Sequence, residues 1–121
     1  MFVRWKWRVG NMHHGGFSHR SGYASLVKSV RTKAGPRLEY VAYLGRIRIT
    51  YLDRDGKREA FLLDGNVYRF WRKANEVLDW LGVEGGERGR IERSLEAVVP
   101  MLPADRFAEF EARQELATDK I

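Results

Sequence analysis

Cysteine is absent from this chain, so neither a disulfide framework nor a thiolate metal site is open to it. The absence suits a reducing compartment, and a cytoplasmic location is the expectation. No uninterrupted apolar run approaches the roughly 18 residues that crossing a bilayer takes, so no membrane partner is expected. The basic N-terminus is not followed by an apolar segment either, which argues against a secretory signal. Proline is scarce and sits at Pro36, Pro100 and Pro103, positions suited to bounding elements rather than interrupting them. Acidic residues are scarce in one half only. Residues 1–58 hold thirteen Lys and Arg but only Glu39, Asp53 and Asp55 against them, a local charge of +10. The whole chain carries +6, which leaves −4 for the remainder. An anionic surface would be drawn to the first half and not to the second.

With 121 residues, 44% hydrophobic and 31% charged, the chain has the size and composition of one folded domain with a modest core. Its pattern changes part-way. Val3, Trp5, Trp7 and Val9 alternate with Arg4, Lys6 and Arg8, the period-two signature of a half-buried strand with tryptophans inward. Residues 10–22, rich in Gly, Ser and His, lose all periodicity and predict a loop. Strands are predicted at 23–31, 37–44, 46–52 and 58–63. Lys33-Ala34-Gly35-Pro36 and Asp53-Arg54-Asp55-Gly56 are the turns, and Gly45 marks a bulge or bend.

Beyond Asp64 the period becomes 3.6. Val67, Phe70, Trp71, Ala74, Val77, Leu78 and Leu81 form the apolar stripe of an amphipathic helix stopped by Gly82. The run Gly85-Gly86 to Gly89 reads as a break before a second helix containing Ile91, Leu95, Val98 and Val99, ended by Pro100. Pro103 can open a third helix, with Phe107 and Phe110 on its apolar side. Strands first and helices after predict an α+β domain: an antiparallel meander of about five strands (1–63) with about three helices (64–121) packed on one face. The other face is then left for the basic side chains.

No catalytic constellation emerges. His13, His14 and His19 fall in one loop without a cysteine or a helical His-x-x-x-His pair, so no metal site is expected. Asp53, Asp55 and Gly56 echo the start of a calcium loop, but Arg54, Lys57 and Arg58 surround them and the pattern of such a loop is not completed. No serine lies in a glycine-flanked elbow. Gly82-Val83-Glu84-Gly85-Gly86 carries a carboxylate where a phosphate loop needs donors. No cofactor is implied.

Basic residues on strands are the stronger signal. Arg4, Lys6, Arg8, Lys28, Arg31, Arg37, Arg46 and Arg48 would merge into one positive surface if neighbouring strands pair, with Tyr40, Tyr43 or Tyr51 adding stacking. The plainer alternative is that they only keep a sheet soluble and discourage edge pairing. Trp5, Trp7, Phe70 and Trp71 occupy inward positions and are expected in the core.

Residues 23–47 also carry a more specific pattern. Leu26, Val27, Ser29 and Arg31 are followed by a turn with Gly35, then Arg37, then Tyr43, Leu44 and Gly45. This resembles the N-terminal hairpin of insertion-sequence DDE transposases, and of short bacterial proteins that carry the hairpin without a catalytic domain. The resemblance implies a DNA-binding arm and nothing about strand transfer, since the acidic triad and its RNase-H-like domain have no counterpart here. The expectation is therefore a non-enzymatic protein that binds nucleic acid, DNA ahead of RNA, through the basic sheet. The alternative is a small bacterial or phage protein regulating a larger protein or nucleoprotein complex, such as a nuclease accessory or inhibitor. It would dock through helices at 92–99 and 104–116, and exposed apolar residues there would favour it. A metal-dependent nuclease using the loop histidines ranks last.

Overall fold

The computed structural model describes residues 1–10 and 17–119. Four strands form one antiparallel sheet in the order β1 (Phe2–Val9), β2 (Phe17–Thr32), β3 (Gly35–Arg54) and β4 (Lys57–Phe61). Three helices follow: α1 (Asp64–Trp80), α2 (Gly85–Glu96) and α3 (Ala104–Asp119). The α+β architecture is as the sequence suggests, but among the described residues the strand count is four. The expected third and fourth strands are one continuous β3, because the chain absorbs Gly45 in a bulge and keeps pairing.

The expected loop also shortens. Residues 17–22 belong to β2 despite a sequence with no strand pattern: β3 pairs with all of them, and β1 pairs with Arg20, Ser21 and Gly22. His19 is consequently a strand residue, its Nδ1 3.3 Å from Thr50 Oγ1; His13 and His14 lie outside the described residues. The β2–β3 connection is Lys33-Ala34, with Gly35 and Pro36 already paired to Thr32 and Arg31. Asp55 and Gly56 make the β3–β4 turn with φ of 53° and 75°, the mirror-image geometry that follows the twist of a hairpin.

The tryptophans of β1 turn inward. Trp5 stacks on Trp7 at 5.5 Å and on Phe70 of α1 at 5.7 Å. Ala24, Leu26, Leu44 and Ile47 of the sheet meet Phe70, Trp71, Ala74 and Leu78 of α1 and Ile91 and Leu95 of α2. The Trp71 indole donates to the Val99 carbonyl at 3.1 Å, tying the chain after α2 to α1. One face of the sheet is thus covered by α1 and α2, while α3 packs on α1, with Phe107 edge-on to Tyr68 and Phe110 stacked on it.

Helix ends follow from local chemistry. Gly82, at φ 70°, lets its own N–H reach the Asp79 carbonyl and the Val83 N–H reach that of Leu78, closing α1 with a Schellman motif. The glycines at 85, 86 and 89 do not break the chain but lie inside α2. Burial of Ile91 and Leu95 outweighs the weak helix propensity of the glycines, and Arg88 binds Asp79 across the α1–α2 corner and Glu92 one turn on within α2. Val98 and Val99 fall beyond the end of α2, in a turn. No helix among the described residues is long and apolar enough to cross a membrane.

Candidate nucleic-acid interface

Residues directly opposite in an antiparallel pair share a face, so the register fixes which side chains meet on the uncovered side of the sheet. Three rows cross it from β1 through β2 to β3: Arg8–Ser21–Arg48, Lys6–Tyr23–Arg46 and Arg4–Ser25–Tyr43. A fourth, Phe2–Val27–Tyr40, lies beyond. The cations stand on the outer strands, and β2 between them offers two serines and a tyrosine. The result is a trough running along β2. Its walls are two strand spacings apart, about 10 Å.

Two bulges create this alignment. Ala24 pairs with Gly45 and Ser25 with Tyr43, so Leu44 is an extra residue and turns into the core. Leu26 pairs with Ala42 and Val27 with Tyr40, leaving Val41 extra and packed on the core. On a regular strand, residues three apart point to opposite faces. Each bulge resets that alternation, and Tyr40, Tyr43, Arg46 and Arg48 all come to the same side. Tyr40 is 63% exposed and Tyr43 38%, so their rings are open to a ligand. Burial pushes the Tyr43 phenol up, against a smaller pull downward from the Arg46 guanidinium. The hydroxyl therefore stays protonated at neutral pH, able to donate.

Beyond Tyr43 the surface drops into a cleft of about 450 Å³ between β3 and α1. Arg46 and Arg48 line it from the strand, Asn66, Arg69 and Lys73 from the helix. Arg69 donates to the Asn66 side chain. Here β3 has no strand on its outer side, since β4 pairs only with Thr50–Arg54. Helix and strand edge can therefore present their cations to one space. No carboxylate lines the cleft or the trough among the described residues.

The contrast with other cations of the molecule is plain. Arg88 and Arg106 each hold two carboxylates, Arg72 pairs with Glu76, and Arg58 is shared among Asp53, Ser18 and the Tyr51 ring. Arg20 lies over the Trp7 ring at 4.5 Å. Among the described residues, Arg4, Lys6, Arg8, Arg46, Arg48, Arg69 and Lys73 have no carboxylate within 4 Å. Like charges gathered without counterions are electrostatically unfavourable by themselves and become favourable when an anion fills the space.

Of the eight basic residues singled out from the sequence, the structure brings Arg4, Lys6, Arg8, Arg46 and Arg48 onto this face. Lys28, Arg31 and Arg37 stand apart, on the part of the β2–β3 hairpin that continues past the end of β1 at the Phe2–Val27 pair. Alternation from Val27 places Arg31 toward the same side as the trough, whereas Lys28 and Arg37 face the reverse. Arg69 and Lys73 were not among the expected residues. Their i, i+4 spacing on the polar flank of the α1 stripe was the available signal, but only docking of α1 beside β3 makes them neighbours of Arg46 and Arg48.

Comparison of the chain with family models, with curated proteins and with solved structures gives no match. The trough and its cleft therefore have to be interpreted from their own chemistry.

Proposed function

We propose that this chain is a non-enzymatic nucleic-acid-binding protein that works through the uncovered face of its sheet. The observation that carries this reading is the convergence of cations from β1, β3 and α1 on one surface free of carboxylates. A phosphate backbone is the polyanion such a surface suits, and sequence-independent contacts to it supply most of the affinity in proteins of this kind. The likeness of residues 23–47 to a transposase hairpin supports the same class of partner, DNA ahead of RNA, and a derivation from a mobile-element DNA-binding arm.

Fluorescence anisotropy of labelled DNA and RNA over a salt series tests the proposal. Binding should weaken steeply with salt. The double variant Arg46→Ala/Arg48→Ala should stay folded, bind more weakly and have a salt slope shallower by about 1.4 to 1.8, one neutralised phosphate per arginine. Unchanged affinity and slope would move the interface elsewhere.

A second reading, docking on a larger protein or nucleoprotein complex, draws on Trp80, which is 84% exposed at the end of α1. The helices first considered for that role offer less. The exposed residues of α2 include Arg90, Arg93, Ser94 and Glu96, while Phe107 and Phe110 of α3 are packed on Tyr68. Absence of any nucleic-acid binding at low salt would leave this second reading as the one to pursue.

A further inference from the structure

The shape of the trough says more about the ligand than its charge does. Its walls are cationic, its floor is Ser21, Tyr23 and Ser25, and two exposed tyrosines stand at one end. The major groove of a DNA duplex is by itself about 12 Å wide, so a whole duplex does not fit between walls about 10 Å apart. A single strand does. The rings of Tyr40 and Tyr43 are not stacked on another aromatic ring among the described residues. The π-face of a base is available to such a ring only when the base is unpaired.

We propose, building on the nucleic-acid reading above, that the trough holds a single strand. Its backbone runs along β2 between Arg4, Lys6 and Arg8 on one wall and Arg46 and Arg48 on the other. Tyr40 and Tyr43 each stack one unpaired base. Over the β3 wall, beside Tyr43, the β3–α1 cleft takes a flanking phosphate, between Arg46 and Arg48 on the strand and Arg69 and Lys73 on the helix. Tyr43 lines both the trough and the cleft, so the two adjoin at its ring.

The competing geometry is a duplex held by the protruding hairpin, since a two-stranded ribbon can enter a major groove. Its cations count against it. Lys28 and Arg37 face away from Arg31, so the ribbon presents no single basic face.

The test uses the full chain and three labelled probes of about 12 nucleotides or base pairs, a length within the usual single-strand site size. They are oligodeoxyuridine, oligouridine and a mixed-sequence DNA duplex, all at one low salt concentration. The expected result is binding of a single strand at least about tenfold tighter than the duplex. Replacing both rings, Tyr40→Leu/Tyr43→Leu, should weaken single-strand binding by about tenfold or more per ring and leave the salt slope as it was. Both side chains are exposed, and an unchanged thermal melt confirms that the variant is folded. Arg69→Gln/Lys73→Gln should instead make the slope shallower. The two single-strand probes then say whether the sugar is read.

Equal or tighter duplex binding that is insensitive to the tyrosines but lost in Lys28→Ala/Arg31→Ala/Arg37→Ala would overturn the trough and put a duplex on the hairpin, while the broader nucleic-acid reading survives. Failure to bind any of the three probes would overturn both.

Discussion

Two glycines show how closely the backbone is shared between core and interface. A Cβ on Gly22 would stand 2.6 Å from Cζ3 of Trp7, whose ring lies between Trp5 and Arg20. Gly45 adopts φ 150° in the first bulge, and a Cβ there would come within 3.2 Å of Phe70. Gly22→Ala must displace a stacked ring and is expected to destabilise the fold by about 1–3 kcal/mol in urea denaturation. Combining it with Trp7→Phe, which removes the obstructing atoms, should recover part of that loss. Strict additivity of the two substitutions would show that the contact is not the cause. Tryptophans at inward positions could be read from alternation alone. The need for glycine opposite Trp7 could not, because it depends on a cross-strand partner fifteen residues away in the register.

Elements whose sequence period matched their burial were legible. α1 spans Asp64–Trp80 because its stripe repeats at 3.6 and a glycine able to take positive φ follows it. Adding a Cβ at Gly82 meets nothing within 4 Å, so its role is conformational. Gly82→Ala should lower stability by about 1 kcal/mol and Gly82→Asn by less, since asparagine tolerates the left-handed region; equal losses in thermal melts would point to packing instead. Elements defined by partners were not legible. Residues 17–22 read as a loop because Gly, Ser and His carry no strand signal, yet β3 pairs with all of them and β1 with the last three. Gly45 read rightly as a bulge or bend, but the strands on either side of it read as separate, because nothing in the sequence shows that pairing continues through the extra residue. Period-two reasoning also hid how one tyrosine joins the interface: simple alternation sends Tyr43 to the face opposite Tyr40 and Arg46, and the bulges at Leu44 and Val41 bring it back. The basic row of β1 obeyed the simple rule and was found. The contribution of α1 emerged only from how the helix docks.

At the scale of the molecule, the charge imbalance noted in the sequence becomes a division of faces. The basic first half supplies the open side of the sheet, and the helices with their paired carboxylates stand behind it or at its rim. The strand order adds something else. β2 is paired on both sides from Arg20 to Val27, whereas β1 is an edge and β3 lacks an outer partner before Thr50. Amide hydrogen exchange should therefore be slowest along β2, in a protected unit that opens only with global unfolding, and faster in β1 and in the free hairpin arm. Faster exchange in β2 than in β1 would contradict the strand order. If β2 is the last strand to open, the trough floor keeps its shape through the local openings that loosen its walls, and a ligand settling there would slow exchange in β1 far more than in the strand beneath it.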